Sequence, residues 1–162
     1  MSRKLIAYFS PGIGETAETA KNLAEILRAD LYEIKALEPY TKEDLDWEHP
    51  YSRNVLEKQD KYCRPAIAGD LPDLTDYDTV FLGFPIWWNT APKIILTFAE
   101  SLDFEGKTIV PFATSKGSGM GSSSQDIREA IIGNAVVTEG MLLNGYISPF
   151  KIKNWLNSLG IE

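Results

Sequence analysis

Three short segments of this chain carry residues whose types and spacing could do chemistry. The first is Ser10-Pro11-Gly12-Ile13-Gly14-Glu15-Thr16-Ala17. Glycines at 12 and 14 let the backbone turn sharply with its N–H groups exposed, and a helix starting near Thr16 directs its positive end at the same spot. With the hydroxyls of Ser10 and Thr16, the loop is a cradle suited to a phosphate monoester. It contains no lysine and does not match the triphosphate pattern GxxxxGK[ST]. The dinucleotide pattern GxGxxG fails as well, because Thr16 and Ala17 follow Gly14 without a third glycine at the required place.

The second segment, Pro85-Ile86-Trp87-Trp88-Asn89, sets two tryptophans side by side in a loop. Burying both indoles is awkward and a flat ligand could stack on one, although core packing of one tryptophan accounts for the pair as simply. The third, Thr114-Ser115-Lys116-Gly117-Ser118-Gly119, continues into Met120 and Gly121. It is too rich in glycine and hydroxyls for a packed core and well suited to backbone contacts with a planar polar ring. Singly, these are an ordinary glycine turn, a packed tryptophan and a plain loop. Together, a phosphate cradle, an aromatic platform and a row of backbone donors describe a site for a phosphorylated aromatic cofactor. Flavin mononucleotide (FMN) fits all three parts.

Other chemistries lack their residues. The one cysteine, Cys63, cannot pair within the chain, and with one histidine, His49, a Cys/His metal cage cannot be assembled. His49 lies between Glu48 and Pro50 in a polar stretch and reads as a surface histidine, which argues against a Ser-His-Asp triad. The 16 basic and 23 acidic side chains give a net charge of −7, and residues 38–78 hold 11 of the acidic and 5 of the basic ones. That excess reads as a solvated acidic face or as one that steers a basic redox partner, and it disfavours nucleic acid and anionic membranes. No apolar run nears the roughly 20 residues of a membrane span and residues 4–9 are too short for a signal-peptide core, so a cytoplasmic protein is expected.

The elements that must position the three segments follow from periodicity. At 162 residues, with 44% hydrophobic and 24% charged side chains, a single domain over 1–162 is expected. Residues 4–9 read as a buried strand stopped by the first glycine turn, followed by a helical stripe of Ala20, Leu23, Ala24 and Leu27 and a short strand at 31–34. From 38 to 78 prolines punctuate the chain and only 53–62 could make a modest helix, which reads as a surface excursion anchored by Tyr51, Tyr62 and Cys63. A strand at 79–84 feeds the tryptophan loop, and Pro92 opens a helix with Ile95, Phe98, Ala99 and Leu102 inward. The strand at 108–113 runs into the third segment, and Ser122 with Gln125 can form a capping box for the helix beyond. Residues 135–143 supply a glycine-interrupted last strand, and Ser148-Pro149 opens a final helix that Gly160 closes. Strands alternating with helices imply right-handed crossovers, a mostly parallel sheet covered on both faces, and ligand sites at the carboxyl ends of the strands. All three segments stand at such ends.

With these motifs in this order, the chain resembles the flavodoxin family, and most closely the bacterial flavodoxin-like group with YFS, PIWW and GSG motifs. Here these are Tyr8-Phe9-Ser10, Pro85-Ile86-Trp87-Trp88 and Gly117-Ser118-Gly119. The resemblance spans nearly the whole chain and implies an α/β fold, a flavodoxin-like three-layer α/β/α sandwich with a five-stranded parallel sheet in the order 2-1-3-4-5. It implies that Ser10, Gly12, Ile13, Gly14, Glu15, Thr16 and Ala17 hold the FMN phosphate. Pro85, Ile86, Trp87, Trp88 and Asn89 would flank the isoalloxazine ring, and Thr114, Ser115, Gly117, Ser118 and Gly119 would meet its polar edge. Two positions depart from the family's first loop of hydroxyl residue, glycine, variable residue and threonine. Counting back from Thr16 puts Ile13 where the hydroxyl belongs, with Ser10 substituting from further back, and Glu15 sets a carboxylate beside the phosphate. Weakened FMN affinity is the expectation.

The function implied is that of an FMN-binding redox protein, first of all a soluble electron carrier between protein partners. One alternative is a small FMN-dependent reductase using NAD(P)H and quinone-like acceptors, and another is a cofactor-free sensor or interaction module on the same fold. The chain has no separate dinucleotide fingerprint, which favours the carrier. The flavin supplies the redox chemistry, so neither a catalytic side chain nor a metal is expected, and the assembly would be a monomer or weak homodimer.

Overall fold

The computed structural model describes residues 3–12 and 14–161. Its elements run β1 (Lys4–Tyr8), α1 (Glu15–Leu27), β2 (Asp30–Glu33), α2 (Arg53–Gln59), β3 (Thr79–Pro85), α3 (Lys93–Ser101), β4 (Thr108–Thr114), α4 (Ser123–Ala130), β5 (Val136–Val137), β6 (Met141–Leu142) and α5 (Pro149–Ser158). The strands lie in the order β2-β1-β3-β4-β5, with β6 pairing β4 further along, and every pairing is parallel. This is the α/β sheet order that the resemblance to the flavodoxin family implies.

Period-two alternation divides the core between the two faces of the sheet. Leu5 and Ala7 of β1, Val80, Leu82 and Phe84 of β3, and Ile109 and Ala113 of β4 pack with Ile94, Ile95 and Phe98 of α3 and Ile127 of α4. Ile6, Tyr8, Phe81, Val110 and Phe112 point the other way, onto Leu23 of α1 and Ile152, Trp155 and Leu156 of α5. Each large side chain buried this way contributes about 1.5–3 kcal/mol. No helix among the described residues is long and apolar enough to cross a membrane.

Four local expectations are corrected. The single last strand is two short segments. Thr138 N donates to Ile109 O and Leu143 N to Ala113 O, so odd-numbered residues of β4 face this neighbour, and Pro111 between them has no N–H to give. The partner also spends an extra residue there, pairing 137 with 109 but 141 with 112, as a bulge does. The capping box does not form, because Ser122 N donates to Asn89 O, while Ser122 Oγ bonds Asp126 and Gln125 bonds Glu129. The excursion helix stops at Gln59, short of Tyr62. Finally, Tyr51 and Tyr62 are each 77% exposed and anchor nothing. The excursion is held by Leu74, Ile67, Tyr77 and Tyr40 against the core and by an antiparallel bridge between Ala36 and Ile67.

Candidate functional site

At the end of β1, Gly14 (φ 85°) leads into α1, and no side chain caps the helix in the usual way. Ser10 Oγ instead accepts a hydrogen bond from Ala17 N–H at 2.9 Å, which leaves its own O–H free to donate. The amides of Glu15 and Thr16 make no hydrogen bond to any described residue. A Cβ placed on Gly14 would meet nothing within 4 Å. Two unbonded N–H groups at a helix N-terminus, with open space before them, form the anion-binding arrangement that sequence alone suggests. Thr16 is buried, its Oγ1 2.7 Å from Thr114 Oγ1. Glu15 is turned outward toward Lys116, with 3.9 Å between Oε1 and Nζ. Ile13 lies outside the described residues.

After β3 the chain reverses in one tight turn. Trp87 N donates to Thr90 O at 2.9 Å and Thr90 N to Trp87 O at 3.2 Å, while Trp88 (φ 49°) and Asn89 (φ 67°) between them are both left-handed, the pattern of a type I′ turn. A tryptophan in that region costs about 1–2 kcal/mol and persists only where its surroundings hold it. They do so here through Ile86 N bonded to Thr114 O at 3.0 Å and Ser122 N bonded to Asn89 O at 2.9 Å. The Trp87 indole meets Phe9 and Tyr40 edge-on, with ring centroids at 5.8 and 5.6 Å. Trp87 is thus the packed tryptophan of the pair. Trp88 is half-buried, with Lys58 Nζ 5.3 Å from its ring centroid.

Behind Trp87 stands a wall that sequence reading did not foresee. Tyr40 OH donates to Glu57 Oε1 at 2.5 Å, Arg53 Nε donates to Glu57 Oε2 at 2.9 Å, and the guanidinium lies 3.7 Å from the Tyr40 ring centroid. Burial first, and the bond to Glu57 second, push the Tyr40 hydroxyl far above the ordinary tyrosine value, so it is a permanent donor. Cation, ring and carboxylate together hold the excursion against the tryptophan loop. The spacing Arg53 to Glu57, one helical turn, was the available signal; nothing marked Tyr40 as their partner.

The third loop is shaped by one side chain from beyond β6. Ser115 N donates to Asn144 Oδ1 at 2.9 Å and Asn144 Nδ2 to Ser115 O at 2.8 Å. Ser115 Oγ accepts from Ser118 N at 2.9 Å and Gly117 N at 3.3 Å, folding the loop on itself. Cβ atoms at Gly117 and Gly119 would meet nothing within 4 Å. A cavity of about 300 Å³ opens between this loop and α1, lined by Thr114, Ser115, Lys116, Asn144, Glu15 and Glu18 among others. Asn144 was missed because Asn144-Gly145 after an apolar run reads as a plain turn.

Thr114 is where the three segments meet: its hydroxyl touches Thr16, its carbonyl receives Ile86 N, and its neighbour Ser115 anchors the third loop. Among the described residues no cluster of three metal-ligating side chains exists.

Known proteins bear out this architecture. A candidate flavoprotein of Bacteroides eggerthii is 40% identical over 100% of both chains, with a TM-score of 0.90. One of Bacteroides uniformis is 43% identical over 96% of this chain and 98% of its own, with a TM-score of 0.84. A flavoprotein of Lactobacillus acidophilus, solved in complex with FMN, shares the fold at 23% identity, covering 96% of this chain and 99% of its own, with a TM-score of 0.69. No curated protein matches the chain. The family model described as Flavodoxin matches residues 3–159, and the chain belongs to the flavodoxin family.

Proposed function

We propose that the three loops hold FMN and that the protein, acting as one domain, is an electron-transfer flavoprotein. The observation that carries this reading is the convergence on Thr114 of three strand ends, two of which leave their backbone open, with unbonded amides at Glu15 and Thr16 and empty space over Gly14, Gly117 and Gly119, while the third presents the tryptophan turn. The donor set fits the group. Amides and hydroxyls at the start of α1 suit the phosphate, the tryptophan turn suits an aromatic ring, and the 114–119 loop suits the ring's polar edge. Bound FMN supplies one- and two-electron transfer. The chain's own residues bind and orient it: Ser10 and the first turn of α1 take the phosphate, Trp88 flanks the ring, and Thr114 ties the loops into one frame. The Lactobacillus flavoprotein of the same fold carries FMN, which supports the assignment.

Protein partners are favoured for electron exchange by the acidic excursion beside the tryptophan turn, which suits steering of a basic surface. The test is fluorescence titration of FMN with apoprotein, followed by anaerobic spectroelectrochemistry. Saturable one-to-one quenching with two separate one-electron steps is expected. Absence of binding at micromolar FMN would leave a cofactor-free module, and a single two-electron step with rapid NAD(P)H oxidation would make the protein a reductase. One observation favours that second reading: a cavity open to a small molecule adjoins Trp88.

A further inference from the structure

The most acidic stretch of the chain contributes to a cavity whose free charges are positive. About 220 Å³ lies between α2 and the turn after β3, lined by Trp87, Trp88, Asn54, Glu57, Lys58 and Lys93 among others. The Glu57 carboxylate is committed elsewhere, one oxygen to Tyr40 OH and the other to Arg53 Nε. Lys58 and Lys93 make no ion pair among the described residues. The nine-residue α3 begins at this cavity with Pro92 as its N-cap, and its first N–H groups have no side-chain cap. Asn54 is only 3% exposed; its Oδ1 accepts from Ser52 Oγ at 2.8 Å, and its amide nitrogen has no hydrogen-bond partner among the described residues. That nitrogen is not among the buried unpartnered atoms, so within a nearly buried residue it keeps a small accessible surface, and as part of the cavity lining it is a donor available to a ligand.

We propose that this cavity binds a small planar anion, a one-ring aromatic carboxylate, with the ring against Trp88, the carboxylate between Lys58 and Lys93, and Asn54 donating to it. Each part of the lining answers to one part of that ligand. Indole offers a flat apolar face, the two ammonium groups and the uncapped start of α3 offer positive potential, and the amide fixes orientation. The volume sets the size, since drug-sized ligands need roughly 300 Å³ or more and this space admits a single ring. The inference rests on the FMN reading for the ligand's role, as an occupant of the space beside the flavin, and not for its binding.

The experiment is calorimetric titration of benzoate into FMN-loaded protein at low ionic strength, with FMN binding measured separately by fluorescence. Expected are one-to-one binding, benzamide at least about tenfold weaker, and a drop of about tenfold or more in benzoate affinity in the Lys58→Gln/Lys93→Gln double variant, FMN affinity staying within about twofold. Both lysines can be changed without emptying the core, and Trp88→Leu should also weaken benzoate, measured in apoprotein because Trp88 is placed beside the flavin as well. Equal affinity for benzamide, an unaffected double lysine variant, or no saturation up to about 10 mM benzoate would overturn the proposal. So would release of FMN by benzoate, which would make the cavity part of the cofactor site. If FMN fails to bind while apoprotein takes benzoate with the same lysine dependence, the FMN reading falls and this one stands.

Discussion

The two flanks of the site are built on opposite plans. On the flank of α1 and the 114–119 loop, small residues leave the backbone bare, and the shape comes from glycines, hydroxyls and unbonded amides. On the flank of the tryptophan turn, side chains from a distant stretch fill the space, with Trp87 edge-on to Phe9 and Tyr40, and Arg53 and Glu57 locking Tyr40 from behind. A bare backbone is selective for oxygen atoms and indifferent to the rest of a ligand, whereas a packed aromatic wall is selective for a flat shape. A ligand with a phosphate at one end and a ring system at the other needs both. The difference also divides the energetics. The open flank has little to lose on substitution except ligand contacts, and the packed flank has folding stability at stake.

The largest effect should come from breaking the joint between the flanks. Gly121 has φ 56°, and a Cβ there would lie 1.9 Å from the Asn89 carbonyl oxygen, the same atom that receives Ser122 N. Gly121→Ala should therefore cost about 3 kcal/mol, combining left-handed strain with a backbone clash, and weaken FMN by splaying the turn away from Thr114. Urea denaturation reads the first and fluorescence titration the second. A loss under about 1 kcal/mol would mean that the two loops are not rigidly joined.

Next comes the wall itself. Glu57→Ala leaves a buried tyrosine hydroxyl and a guanidinium without their acceptor and should cost about 2–3 kcal/mol, less than a fully buried pair because Arg53 retains 21% exposure and its bond to Glu38 O. If the flanks are as separate as their construction suggests, FMN affinity should fall by less than about fivefold at temperatures where the variant is folded. A loss of FMN binding as large as that of Gly121→Ala would show instead that the wall holds the ring directly.

How much of this was legible depended on the range of the interaction. The parallel sheet, the strand ends and the three loops follow from periodicities and turn residues that lie within a few positions of one another, the strand order comes from the family resemblance those motifs carry, and Ser148 and Gly160 terminate α5 as their types suggest, with Lys151 N bonded to Ser148 Oγ. What escaped was long-range. Asn144 meets Ser115 across 29 residues and Tyr40 meets Glu57 across 17, and neither asparagine nor tyrosine announces its partner. The capping box failed for the same reason, since a carbonyl 33 residues upstream took the amide it would have used. Pro111 was visible in its strand, but the cost of its missing donor fell on a neighbour the sequence had not yet placed.

On the open flank the effects should be smaller and fall on the ligand. Ser10→Ala removes the acceptor of Ala17 N–H and with it about 1 kcal/mol of stability, as loss of a helix cap does. It also removes the donor proposed for the phosphate, so FMN should weaken by about tenfold, and Ser10→Thr should restore most of both. Restoration of stability without affinity would separate the capping role from the ligand contact.

Glu15 gives the finest test of the contrast, because here the sequence points one way and the structure partly the other. A carboxylate at the first position of α1 should repel a phosphate bound to the amides beside it, which predicts tighter FMN in Glu15→Gln. The carboxylate, however, lies half-exposed and faces Lys116 at 3.9 Å, so part of its field is cancelled by a charge contributed from the opposite loop. With the lysine 85% exposed, such a pair holds little folding energy, and its influence on a nearby phosphate is moderate. Glu15→Gln should then tighten FMN by only about threefold, Lys116→Gln should weaken it by a similar factor, and the double variant should return close to the starting affinity. All three differences should shrink toward nothing as salt is raised to about 1 M, where screening reaches within a few ångströms. A tightening of more than about thirtyfold in Glu15→Gln that survives high salt would mean that the carboxylate sits against the phosphate itself, and that the open flank is narrower than its glycines suggest.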